Sequence, residues 1–139
     1  MISTLIDAGP IIALFDKSDQ HHVLMMEFMK NFQGRLISTW PVLTEASYML
    51  DFNKETQLDF ISWVSEGGIE IFNLEQWQLV NVREWMNKYS DLPADFADAS
   101  LLVAAETKNL DSIISLDSDF SVYTLNNGEV LSNLLTGSE

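Results

Sequence analysis

Short β-branched runs, each followed by a segment of helical periodicity, constrain this chain more than any other feature. Met1–Ile6 is apolar and β-branched and stops at Asp7, which predicts a buried strand with an acid at its C-terminal end. Leu36–Ser38, Ile69–Phe72 and Ser112–Ser115 predict three more strands. Ala8-Gly9-Pro10 reads as a turn before a short helix over Ile11–Asp16. A second helix, Gln20–Phe32, is expected to be capped by Asp19, to present Val23, Met26, Phe28 and Met29 inward, and to end at Gly34. Thr39 caps a predicted helix over Pro41–Asp51 with Val42, Leu43, Ala46, Met49 and Leu50 inward. Lys54–Ser65 follows with Leu58, Ile61, Trp63 and Val64, and Glu75–Tyr89 with Trp77, Val80, Trp85 and Met86. The last predicted helix opens at Pro93, with Ser90 or Asp91 as its cap, and sends Ala97, Leu101, Leu102, Ala104 and Ala105 into a core before ending near Thr107. Such alternation implies a parallel sheet covered on both faces, and sheets of that kind bind ligands at the carboxyl ends of their strands.

The chain is expected to form one domain over residues 1–135, with 136–139 as a frayed tail. It has no cysteine, no basic leader and no apolar run approaching a membrane span, since Asp7 and Asp16 interrupt the apolar N-terminal stretch. A cytoplasmic protein without membrane contact is the expectation. Acids outnumber bases 21 to 7, for a net charge of −14. A surface of that sign repels nucleic acid at long range. A polyanionic substrate would need a metal ion and a few local bases; alternatively, the acidic surface serves a basic partner.

Several acids fall where that architecture would gather them. Asp7 follows the first strand and Asp117 the fourth; Glu45 lies between apolar neighbours on the helix after the second strand. Asp95 and Asp98 share one face at the start of the last helix. Singly, each has an ordinary explanation: the helix dipole favours first-turn acids, Glu45 suits an exposed face, and Asp117 suits a turn. Jointly, Asp7, Glu45, Asp98 and Asp117 converge on one edge of the sheet, where they would repel one another without a cation. Oxygen ligands with neither Cys nor His suit Mg²⁺ or Mn²⁺, and phosphodiester hydrolysis is the chemistry such a cluster supports.

The segments Leu5-Ile6-Asp7-Ala8-Gly9-Pro10-Ile11-Ile12-Ala13-Leu14-Phe15-Asp16, Thr44-Glu45-Ala46, Ala94-Asp95-Phe96-Ala97-Asp98-Ala99-Ser100-Leu101 and Ser115-Leu116-Asp117-Ser118-Asp119-Phe120-Ser121-Val122-Tyr123, in that order, resemble the PIN-domain family. The likeness spans the whole chain and is strongest to the small single-domain members related to VapC toxins. It implies a three-layer α/β/α sandwich around a mainly parallel sheet of four or five short strands. It further implies an Mg²⁺ or Mn²⁺ site, ribonuclease activity on single-stranded or structured RNA, and a homodimer held by a basic antitoxin. Asp7, Glu45, Asp98 and Asp117 match the family's four acids, Asp95 matches an additional acid of the subgroup, and Ser115 stands where a hydroxyl often neighbours the last acid. Gly9 departs from the pattern, which often places a small hydroxyl residue there.

Lys17 and Arg35 are the bases nearest in sequence to these segments and are candidate contacts for substrate phosphates. Adjacent His21 and His22 diverge by about 100° on a helix and do not chelate one ion. Trp40, Trp63, Trp77 and Trp85 suit core or dimer packing better than base stacking. The competing function is an acidic binding module with little catalysis. A receiver-like phosphoacceptor domain is disfavoured, because Asp7 has no acidic neighbour and no lysine follows Asp117.

Overall fold

The computed structural model describes residues 1–135; the expected frayed tail at 136–139 lies outside them. Five strands, β1 (Ile2–Ile6), β2 (Gly34–Thr39), β3 (Glu70–Phe72), β4 (Ser112–Ile114) and β5 (Ser132–Asn133), form one sheet in the order β3-β2-β1-β4-β5. Every neighbouring pair is parallel. Six helices cover it: α1 (Ala8–Phe15), α2 (His22–Asn31), α3 (Trp40–Met49), α4 (Lys54–Ser65), α5 (Leu79–Lys88) and α6 (Phe96–Lys108). None is long and apolar enough to cross a membrane. The fifth strand completes the sheet within the stretch around Val130 and Leu131, where the sequence specifies little.

The path of the chain sets the site. From β1 it moves outward through β2 to β3, then returns past β1 to lay down β4 and β5 on the other side. Strand order therefore reverses between β1 and β4, and in open parallel sheets the crevice above such a switch point is where ligands bind. The ladder continues just beyond β1, where the Asp7 amide donates to the Ile114 carbonyl at 3.0 Å. Asp7 and the Ser115–Asp117 segment thus leave the sheet side by side. Beneath them Leu5, Ile6, Ile113 and Ile114 are wholly buried.

Helix α6 is buried on nearly every face from Ala97 to Ala105, so its small and aliphatic residues carry no amphipathic stripe. A hydroxyl pair, Thr39 Oγ1 and Ser100 Oγ at 2.6 Å, ties its second turn to the end of β2. Asn109 ends it with a left-handed φ of 53°.

Several sequence expectations need correction. Ala8-Gly9-Pro10 is the first turn of α1 rather than a turn before it: Asp7 caps that helix, and Pro10 lies where its missing N–H costs nothing. Helix α6 starts at Phe96, not Pro93, because Asp95 rather than Ser90 or Asp91 supplies the cap; the Ala94 amide is instead drawn back to the Tyr89 carbonyl. Gly34 does not merely stop α2 but opens β2, where a side chain would collide with the Ile2 carbonyl. Glu75–Tyr89 divides into a 3₁₀ turn over Gln76–Gln78 and α5. The inward faces also shift. Met25 and Phe60 are fully buried, whereas Val23, Met26, Met49, Leu58, Ile61, Trp77 and Val80 are exposed. These helices carry apolar residues on more than one face, so periodicity alone selects the wrong stripe.

Phe60, whose ring meets that of Phe15 edge-on at 5.7 Å, distinguishes the two faces of α4. Phe60→Ala should cost roughly 3–5 kcal/mol in urea unfolding, and Leu58→Ala no more than about 0.5 kcal/mol.

Candidate metal centre

Three carboxylates meet above the switch point. Asp7, Asp98 and Asp117 each place an oxygen within 4.8 Å of the others. Asp7 and Asp98 are only 7% and 8% exposed, and Asp117 is partly buried. Each arrives by a different local device. Asp7 is the N-cap of α1, its Oδ1 accepting from the Ala8 amide at 2.8 Å. Asp98 lies in the first turn of α6, and its amide donates to Oδ1 of the cap residue Asp95 at 2.8 Å. Asp117 caps a 3₁₀ turn over Ser118–Ser121, its Oδ1 accepting from the Asp119 amide at 2.9 Å.

Ser115 joins two of these arms. Its hydroxyl donates to Asp7 Oδ2 at 3.3 Å and accepts from the Asp117 amide at 2.9 Å. Asn133 of β5 anchors Ser115 in turn, accepting from its amide and donating to its carbonyl. All the hydrogen-bond donors to the three carboxylates are neutral, and among the described residues no lysine or arginine forms an ion pair with any of them. The negative charge is oriented but not offset.

Proton affinities reflect that imbalance. Burial, reinforced by the charges of Glu45 and Asp117, pushes Asp7 up to about 6, against the opposing pull of the Ala8 amide and the Ser115 hydroxyl. Burial likewise pushes Asp98 up to about 7, opposed by a hydrogen bond from Tyr123 and assisted by Asp95, Asp7 and Asp117. Glu45 is exposed on α3 and lies outside the trio, yet partial burial and the charges of Asp95 and Asp117 raise its proton affinity too. It stands at the rim with the exposed Asp95. The donor set suits a hard divalent cation: oxygen ligands only, two of them buried, with no competing base.

A model of the PIN domain matches residues 4–124, most of the chain and all three carboxylates. The chain belongs to the PIN-domain family. No curated protein matches its sequence. Among solved structures, this PIN domain is similar to Mycobacterium tuberculosis VapC20, described as a sarcin–ricin loop cleaving toxin, at 15% identity and a TM-score of 0.78, over 86% of this chain and 93% of that one. It is also similar to a chain of Rickettsia felis VapBC2 bound to a DNA fragment from its promoter, at 17% identity and a TM-score of 0.64, over 96% and 98%. A Klebsiella pneumoniae toxin–antitoxin complex gives 16% identity and a TM-score of 0.56, over 83% and 87%. At these identities the likeness is one of fold.

Both basic candidates lie away from this centre. Arg35 pairs in register with Ser3, near the start of the central strands, and its guanidinium meets Glu70 at 3.6 Å. Lys17 lies beyond the far end of α1 from Asp7, beside a groove of about 630 Å³ between the α1–α2 loop and α4. Gly9 packs against Leu116, and a Cβ there would meet that side chain at an ordinary 3.6 Å, so a small side chain fits. His22 uses its ring on the α1 backbone, with Nδ1 2.7 Å from the Ala13 carbonyl.

Sequence reasoning missed Tyr123. Its fully buried hydroxyl donates to Asp98 Oδ2 at 2.9 Å. Burial, together with the neighbouring Asp98 charge, raises the phenol above its ordinary range, so it stays protonated and remains a donor.

In the unfolded chain Asp7 and Asp98 titrate near 3.8, well below their folded values. Between about pH 4 and 7 the folded metal-free protein therefore holds more protons than the unfolded one, and its stability falls as pH rises. The penalty is complete above about pH 7. With each tenfold change in proton affinity worth about 1.4 kcal/mol, the loss amounts to a few kcal/mol in urea unfolding with a chelator present. Asp98→Asn should flatten this slope and stabilise the metal-free fold at pH 8.

Proposed function

We propose that this PIN domain is a metal-dependent endoribonuclease, using Mg²⁺ or Mn²⁺ to hydrolyse phosphodiester bonds of single-stranded or structured RNA. One observation carries it: Asp7, Asp98 and Asp117 converge within 4.8 Å, two of them buried, and no lysine or arginine among the described residues pairs with them. Burying like charges without compensation is costly, and such arrangements concentrate at functional sites.

Asp7, Asp98 and Asp117 would hold the ion, and Glu45 and Asp95 are the further acids available at the rim. A bound divalent cation supplies neutralisation of the developing phosphate charge and activation of a water for attack. The chain's own part is positioning. The Ala8 amide and the Ser115 hydroxyl fix the two oxygens of Asp7, the Asp119 amide fixes Asp117, and Asp95 fixes the first turn of α6. With a net charge of −14 and no nearby base, attraction for RNA depends on the ion.

The toxin–antitoxin setting of the structural neighbours supports a further proposal, that this is the toxin of such a pair. Its antitoxin would carry a basic segment complementary to the acidic surface. The active form would be a cytoplasmic homodimer, consistent with the apolar side chains left exposed on α3 and α5.

The full chain should cleave single-stranded RNA in Mg²⁺ or Mn²⁺ and lose activity with a chelator. Asp7→Asn and Asp98→Asn should each slow cleavage by roughly a hundredfold or more, about 2.7 kcal/mol in the barrier. Either variant cleaving as fast as the unsubstituted chain would contradict the proposal. A chain inactive in both metals that binds basic peptides tightly, in a salt-sensitive manner, would instead support the acidic binding module.

A further inference from the structure

Among the described residues, the Asp98 carboxylate receives a side-chain hydrogen bond from one residue alone, Tyr123, 25 positions away in sequence. Asp7 is held through both its oxygens and Asp117 by the turn it caps. Among the described residues no backbone amide donates to the oxygens of Asp98, on the apolar helix α6. We infer that Tyr123 is a positioning residue for the metal centre: its hydroxyl holds Asp98 Oδ2 and so aims the other oxygen of that carboxylate at Asp7 and Asp117. This rests on the metal-binding role proposed above.

The surroundings are built to hold that phenol in place. Tyr123 has no solvent exposure, and its ring meets Phe120 at 5.1 Å and 88° and Tyr89 at 5.0 Å and 60°, both edge-on. Tyr89 stacks on the buried Trp85, and its hydroxyl accepts from the Thr124 amide at 2.9 Å, fixing the residue after Tyr123. The Tyr123 amide itself donates to the Asp119 carbonyl at 3.2 Å. One short segment therefore begins with the carboxylate of Asp117 and ends with the donor to Asp98. Two of the three acids, 19 positions apart in sequence, are set by the seven residues Asp117 to Tyr123. A buried aromatic needs no partner at its far edge beyond packing atoms; a buried phenol must find an acceptor, and here the acceptor is a member of the carboxylate trio.

Groups that hydrogen-bond metal-ligating carboxylates typically contribute 10–100-fold to metal affinity. Calorimetric titration of the full chain with Mn²⁺ near pH 7 should therefore show Tyr123→Phe, which keeps the ring packing, binding at least about tenfold more weakly than the unsubstituted chain. Tyr89→Phe keeps the ring contact with Tyr123 and removes only the hold on the Thr124 amide, without touching Asp98, so it should weaken Mn²⁺ binding clearly less than Tyr123→Phe whatever it does to the melting temperature. Equal affinities for the unsubstituted chain and Tyr123→Phe would overturn the inference, as would equal weakening by Tyr89→Phe. Failure of the unsubstituted chain to bind Mn²⁺ would overturn the metal centre itself, and this inference with it. A readout needing no variant is the tyrosine ultraviolet difference spectrum. Adding Mn²⁺ should perturb it by changing the acceptor strength of Asp98, and a flat spectrum on saturation would contradict the inference.

Discussion

Repulsion among Asp7, Asp98 and Asp117 is the constraint around which this fold is arranged. Carboxylates within 4.8 Å of one another, two of them nearly closed off from water, do not coexist in charged form without something to offset them. The chain answers with geometry rather than with bases. It spends two helix caps and a 3₁₀ turn on placing the acids, and surrounds them with neutral donors that orient each group. The raised proton affinities of Asp7 and Asp98 mark the charge left over.

The scaffold makes the cluster hard to relax. Asp7 and Asp117 leave adjacent strands at the point where strand order reverses, and the sheet below them is packed with fully buried aliphatic residues. Helix α6 cannot swing away, because it is buried on nearly all sides and Ser100 near its start is pinned to β2 by the hydroxyl of Thr39. Ser115 and Asn133 link the Asp7 arm to the edge strand β5. Moving any one acid outward would break packing or a buried hydrogen bond elsewhere.

Much of this was legible in the sequence because strand ends carry their own signal. A β-branched run stopping at Asp7, and another leading to Asp117, place two acids at the sheet's carboxyl edge without reference to any relative. Helix faces were less legible. Periodicity favours Val23, Met26, Leu58 and Ile61 over the buried Met25 and Phe60, since short helices with apolar residues all round give it little to select. Pro93 reads as a first-turn proline and so places the start of α6 too early, whereas the cap that matters is the carboxylate of Asp95, which accepts from the Asp98 amide. Glu45 fell at the rim rather than in the trio. Tyr123 closes the last of the PIN-like segments, yet nothing there marks its hydroxyl: an aromatic after a turn reads as core until the fold sets that hydroxyl against an acid in another helix.

The acidity of the chain, which looked like an argument against a nucleic-acid substrate, takes a different meaning at the site. Arg35 and Lys108 both turn to Glu70, Lys17 lies past the end of α1, and among the described residues no lysine or arginine pairs with the three carboxylates. Proton release on metal binding tests the shared cation most directly. Calorimetry of Mn²⁺ binding in buffers of differing ionisation enthalpy should show protons expelled at pH 6, where Asp7 and Asp98 are partly protonated, and almost none at pH 8.5. Binding that expels no protons at pH 6, or no binding at either pH, would contradict a cation held among these three acids.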